Sequence, residues 1–446
     1  MGRNKLVSMV LTVALTVATL AGCSSGKPKF DDVTITVLIP DQSLAGTLGE
    51  QINSLLDKSK TFVEEQNPGL TVNVVKAPGE QYADQIETLN PDIYWITPND
   101  LTKPQNAGKL YDLSPLLEQA NADITQYFPS NLLDMTTEDG KLLGIPVAAY
   151  NMAVAYSKSW FSTAGLEEPR PNWTWEQFES DAIALKEANG ADSKVAYGAS
   201  IPLYSEYIES IVLSKGGSFL SPDGKQASGF VDGPVTVETM AWLKGLADKG
   251  ALDPAPTGDL SLIGKTKGME IAVTPLINSF MASNTDIGIV PLPSANGDYI
   301  VSAPYVTAFG INSSSENPEA ALKYIFALTM EDNEITREAY RIGMSISKAV
   351  FENGGAENNP SLAVDYQLLP YSQKRAYMQT SGWGEAMGFY SNRFMLMVQD
   401  DVSEIVPTLQ EMAQGIDVTL SDLRVKDENE AKEAAATAAL ETTASE

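Results

Sequence analysis

The order of local signals predicts an α/β chain built on a parallel sheet with helices on its faces. Three observations carry this. Between Val33 and Ile96, β-branched runs alternate with amphipathic runs. Turn residues such as Asn67-Pro68-Gly69 punctuate them. The composition, 43% hydrophobic and 20% charged, is that of an ordinary globular chain, not a disordered one. A length of 446 residues suggests two or three domains.

Each element has its own justification. Val33 to Ile39 alternates β-branched residues and reads as a first strand. From Leu44 to Glu65, residues Leu48, Ile52, Leu55, Leu56, Phe62 and Val63 recur at helical spacing. Leu70 to Val75 is a second strand. After Ala77 a polar, helix-like stretch leads to Pro91 to Ile96, a third strand that ends in Thr97-Pro98-Asn99-Asp100. Ligands of parallel α/β sheets bind beyond the carboxyl ends of the strands, so Trp95 to Asp100 is a candidate site. Gly108 to Glu118 and Asp139 to Pro146 read as edge turns followed by short extended segments. Val147 to Tyr156 is strand-like and carries Tyr150 and Asn151. Pro169 to Pro171 is a loop, and Thr174 with Gln177 fits a capping box. Pro234 starts a helix with Met240, Leu243 and Leu246 on one face, ended by Lys249-Gly250. Asp286 to Pro293 and Tyr299 to Asn312 are extended. Asn317-Pro318-Glu319 opens a helix with Asn as cap and Pro in its first position. From about Ser347 the chain is mostly helical, and Lys426 to Glu446 reads as a frayed or solvated helix.

The N-terminus carries an address. Arg3 and Lys5 precede an uncharged run from Val7 to Leu20. That run is shorter than the roughly 20 apolar residues that span a bilayer, and it fits a secretory signal. It ends in Leu20-Ala21-Gly22-Cys23, which looks like a bacterial lipobox. That resemblance implies a chain tethered through lipid on Cys23 to the outer face of a membrane. Cys23 is the only cysteine, so no disulfide forms within the chain. There is no histidine, which excludes Ser-His-Asp and Cys-His catalysis and any imidazole metal site. The formal net charge of -28 argues against nucleic acid as a partner.

Several segments resemble the extracellular solute-binding proteins of bacterial ABC importers, in particular the sugar-binding group that includes maltose-binding protein. They are the lipobox, Pro91-Asp92-Ile93, the Gly108 to Leu113 run, and Asp139-Gly140-Lys141 leading to Gly144-Ile145-Pro146. Tyr156-Ser157-Lys158 with Phe161, Ala164-Gly165-Leu166 and Thr174 to Phe178 follow. Gly268-Met269, Gly310-Ile311-Asn312 with Asn317 to Ala321, and Asn392-Arg393-Phe394 complete the series. Their order spans almost all of the mature chain.

The resemblance implies two discontinuous α/β lobes, a central cleft and hinge strands, the periplasmic-binding-protein-like fold. Mapped on this sequence, 1–22 is a signal peptide and 23–32 a tether. Lobe 1 takes 33–148 and 308–332, and lobe 2 takes 149–307 and 333–430. A flexible acidic tail spans 431–446. Crossings are expected near Ala148, Thr307 and Met330. The implied partners are a carbohydrate, the permease subunits of the importer and, through Cys23, a membrane. A monomer without a cofactor is expected.

A sugar site needs flat aromatics for the ring face and polar side chains for paired hydroxyls. Trp95, at the end of the third strand, and Trp383, between Gly382 and Gly384, are the leading rings. Trp160, Trp173, Trp175 and Trp242 read better as packing residues. The polar candidates are Tyr150 and Asn151 at the first crossing, Tyr305 before the second, and Asn99, Asp100 and Asp41 after strands. Turn chemistry also explains the last three. Asn278 is a further candidate. Leu276 stands in a loop where maltose-binding protein has an aromatic, and Phe280 is its possible substitute there. Competing readings are a binding protein for a peptide or polyamine and a surface polysaccharide-degrading enzyme or adhesin. No carboxylate pair is singled out for glycosidase chemistry, and no phosphate-binding glycine loop is present. Ser221 to Lys225 is a turn with too few oxygen ligands for calcium.

Overall fold

The computed structural model describes residues 30–41, 46–103, 106–190, 196–297, 302–342, 346–348, 351–352, 359–399 and 404–444. The expected signal peptide, Cys23 and most of the expected tether lie outside these residues.

The strands are β1 (Val33–Pro40), β2 (Leu70–Ala77), β3 (Ile93–Ile96), β4 (Thr137–Glu138), β5 (Lys141–Leu142), β6 (Ile145–Tyr150), β7 (Met152–Ser157), β8 (Tyr197–Ser200), β9 (Lys267–Val273), β10 (Ile287–Pro291) and β11 (Tyr305–Ile311). They form a five-stranded sheet in the order β2-β1-β3-β11-β6, a four-stranded sheet in the order β10-β7-β9-β8, and the small β4-β5 pair. β1 pairs in parallel with β2 and β3, as the alternating pattern predicts, while β11 runs antiparallel to β3 and β6.

Both faces of the first sheet are covered, which is why β1 reads as a nearly continuous apolar run. Ile35, Val37 and Ile39 point into one core and Leu38 into the other. The helix Gly46–Gln66 buries Ile52, Leu55, Leu56 and Val63 against the first face. Removing such side chains from water contributes roughly 1.5–3 kcal/mol each. β7 shows the same logic in the second sheet. Met152, Val154 and Tyr156 join the larger core, and Ala153 and Ala155 the smaller.

Val147 to Tyr156 is not one strand. It is split at Asn151 into β6 of the first sheet and β7 of the second. The chain returns between β10 and β11. The third passage falls later than Met330. Helices Pro318–Thr329 and Glu334–Arg341 both pack on the first core, the latter through Ile335 and Ala339. Helix Pro360–Leu368 puts Val364 and Leu368 into the smaller core of the second lobe. The passage therefore falls after Ile346, and the segment beyond Pro360 is shared, because Leu369 and Met378 still join the first core. An amphipathic stripe states that a helix has a buried face, not which lobe covers it.

Smaller expectations also shift. Leu113–Gln119 is a helix, with Asp112 accepting from the Ser114 N–H, where an extended segment was expected. Asn317 makes no side-chain cap, although Pro318 does open its helix. The Thr174–Gln177 capping box is formed in both directions, at 2.9 and 3.2 Å. The last helix, Ile405–Ala444, is continuous through most of the expected flexible tail. It buries Leu409, Met412, Ala413, Ile416 and Leu420 on the second lobe, and Asp427 to Glu430 are half-buried or exposed.

Candidate ligand-binding cavity

A cavity of about 500 Å³ opens between the lobes. One wall belongs to the carboxyl side of the first sheet: Thr97 after β3, Tyr150 at the end of β6, and Tyr305 to Thr307 at the start of β11. The other wall comes from the first turns of helix Ser205–Ser214, which follows β8, and from the segment Trp383 to Ser391. The strand-end rule thus applies to both sheets.

The central feature is a ladder of three tyrosines. Tyr150 stacks on Tyr305 at 6.2 Å between centroids, and Tyr305 on Tyr377 at 6.3 Å, with interplanar angles of 29° and 26°. Such offset stacking is the arrangement that ring quadrupoles favour. Trp383 closes one side and leans on Phe219 at 6.2 Å. Burial raises the phenols of Tyr150, Tyr305 and Tyr377 above the usual tyrosine range, so they stay neutral, able to donate and accept.

Arg375 holds this ladder from behind. It is fully buried, with its guanidinium carbon 4.5 Å from the Tyr305 ring centre. Its Nε donates to the Ala303 carbonyl at 2.7 Å, and its terminal nitrogens donate to the Glu206 carbonyl at 3.0 Å and the Ser210 hydroxyl at 2.7 Å. The Glu209 carboxylate lies 3.8 Å away and accepts from the Ala376 N–H at 2.6 Å. Burial pushes the Glu209 carboxyl up, and Arg375 pulls it back. The guanidinium therefore ties the second-lobe helix to the strand that enters β11.

Of the residues expected from sequence, Tyr150, Tyr305 and Trp383 line the cavity. The others are placed elsewhere. Trp95 points into the first core, edge-on to Phe309 at 5.6 Å, because the face of β3 that carries it is covered by helices. Asp100 accepts from the Thr97 N–H and hydroxyl and pairs with Lys103, which is turn and cap chemistry. Asn99 donates to the Tyr377 and Thr380 carbonyls and so braces the ladder indirectly. Asn151 is buried at the first crossing. Its backbone and side-chain N–H groups donate to Asp365, at 2.8 and 3.0 Å, and its side-chain Oδ1 accepts from the Ser302 hydroxyl. Asn278 is half-buried on helix Thr274–Met281, away from the cavity, so the expected loop is helical. Phe280 packs on the smaller core of the second lobe and supplies no ring to the cavity. Asp41 is exposed beyond β1 and accepts from Asn53.

Tyr377, Ser205 and Glu206 were missed. The strand-end rule, applied to the strand before Ser205, points to the second and third. No sequence signal singles out Tyr377, which reaches the site through contacts distant in the chain. Trp160, Trp173 and Trp175 are buried and Trp242 packs beside them, as packing residues should.

Two α/β lobes with an aromatic cavity between them make up the two-lobed architecture of solute-binding folds. Residues 45–334 match the model of the bacterial extracellular solute-binding proteins, and the chain belongs to that family. A Brucella abortus relative named as a binding protein is 26% identical over 354 residues, covering 75% of this chain and 82% of its own. An Escherichia coli relative, named as the periplasmic-binding protein of an ABC transporter, is 23% identical over 74% and 76%. The sugar-binding protein MalE of Xanthomonas citri has a similar structure, with a TM-score of 0.74 at 18% identity over 89% of this chain and 99% of that one. An ABC substrate-binding protein of Listeria monocytogenes in complex with cycloalternan gives 0.68 at 19%, over 88% and 99%.

Proposed function

We propose that the chain captures a carbohydrate between its lobes and delivers it to the permease of an ABC importer, while lipid on Cys23 holds it at the outer face of a membrane. The observation that carries the reading is the ladder of Tyr150, Tyr305 and Tyr377, with Trp383, facing one cavity. Flat rings suit the apolar face of a sugar, and neutral phenols with Ser205, Glu206 and Thr97 suit its hydroxyls. The names of the Escherichia coli and Listeria relatives support the transporter class, and the Xanthomonas name and the Listeria complex with cycloalternan support a sugar as cargo.

The mechanism is capture without covalent chemistry. A sugar that touches both walls is bound better by the closed form than by the open one. It shifts the equilibrium toward closure by that difference alone. A thermal-shift panel of mono- and oligosaccharides, peptides and polyamines tests the cargo, since a ligand of the folded state raises apparent stability with its concentration. A saccharide hit is expected, with Tyr305→Ala weakening it about tenfold through loss of roughly 1.4 kcal/mol of ring contact. A hit among peptides or polyamines and none among saccharides sinks the carbohydrate reading.

A further inference from the structure

We infer that the cavity sorts saccharides by charge, taking neutral and amino sugars and refusing uronates and sugar phosphates, with the Glu206 carboxylate as the deciding group. This rests on the carbohydrate reading and adds the charge class of the cargo.

The argument begins with what lines the cavity. Among the described lining residues the charged ones are Glu206 and Glu209, and no lysine or arginine is present. A site for an anionic sugar needs a cation or convergent N–H donors, because a carboxylate or phosphate loses its water on entry. The one guanidinium nearby, Arg375, is sealed. It is fully buried, each of its three nitrogens faces a protein oxygen, and its face rests on Tyr305. Its charge is matched by Glu209, 3.8 Å away and also buried. Among the described residues no lysine or arginine side chain forms an ion pair with Glu206. Its carboxylate is exposed, with the Ser205 hydroxyl donating to it at 3.2 Å.

A carboxylate in this position accepts from hydroxyls or from an ammonium equally well, and it repels a second carboxylate. The tyrosine faces reinforce this sign, because ring faces are negative and attract cations. The chain as a whole, at a formal -28, adds a field of the same sign.

The test uses matched probes on the glucose, galactose and mannose frames, each as the parent sugar, the 2-amino sugar at mildly acidic pH, and the uronate. Binding is read by thermal shift and by intrinsic fluorescence. On any frame that binds, the uronate is expected to be at least about tenfold weaker than the parent, and the amino sugar no weaker than the parent. Glu206→Gln, an exposed substitution that keeps the carbonyl used by Arg375, is expected to close most of that gap. A uronate bound as tightly as its parent overturns the inference and leaves the carbohydrate reading standing. A gap that persists in Glu206→Gln overturns the role of that residue. If these frames fail, the same comparison is made on the saccharide that the wider panel of mono- and oligosaccharides returns; if that panel returns none, the carbohydrate reading falls and the inference with it.

Discussion

Asp365 shows how one buried group can set a condition on the whole fold. It is buried at the joint between lobes and accepts from the Asn151 N–H, the Asn151 amide and, at 2.6 Å, the Thr274 hydroxyl. Burial raises its carboxyl to about 7, and those hydrogen bonds only partly offset the loss of water. The unfolded value is roughly 3.9, so between about pH 4 and 7 the folded chain binds more protons than the unfolded one. Stability from this group is present below that window and is lost as pH rises through it. The loss is on the order of 4 kcal/mol at most. Asp365→Asn is expected to flatten the fall of Tm between pH 4 and 8 relative to the native chain. An unchanged slope refutes the assignment. The same residue explains why Asn151 was misread. An Asn between two apolar runs looks like a ligand contact in sequence, and nothing local shows that its partner lies over two hundred residues away. Tyr150 and Tyr305 stand at strand ends, where the geometry of α/β sheets puts ligands, and both line the cavity. Trp95 stands at such an end too, but the face of the strand that carries it is covered.

At the scale of elements, the turn before β2 depends on one glycine. Gly69 has φ +86°, and a Cβ there would sit 1.8 Å from the Phe30 carbonyl oxygen. The backbone approach and the left-handed angle both demand glycine. Gly69→Ala is expected to destabilise the chain by about 2 kcal/mol or more, read as a lower denaturation midpoint. A midpoint within error of the native one would show that Phe30 can move away freely. Signals of this local kind were the ones sequence reading recovered: the helix expected over 44–65 and found at Gly46–Gln66, the Thr174–Gln177 box, Pro318 at its helix start. What it missed required knowledge of partners. The run through Asn151 holds no glycine or proline, so the jump between sheets leaves no mark. Helix Glu334–Arg341 went to the wrong lobe because its stripe fits any apolar surface.

For the whole molecule, attachment and capture are separable. On the proposed reading Cys23 fixes the chain to a membrane and takes no part in the cavity. Cys23→Ser is expected to move the protein from the membrane fraction to the soluble fraction while its sugar affinity stays within about twofold. Retention in the membrane fraction would overturn the anchor. Capture is another matter, because the ladder is not built on the lobes at large. Tyr150 is the last residue before the first crossing and Tyr305 the first after the second. Arg375, which braces Tyr305, sits in the segment returning from the third. On the proposed reading, the rings that face the cargo sit on the segments that carry one lobe against the other, while Glu206 sits apart from them on its helix. On that reading, substituting these rings is expected to disturb the joint between the lobes as well as the choice of cargo. A change of cargo made at Glu206, off the crossings, is expected to leave the joint between the lobes as it is.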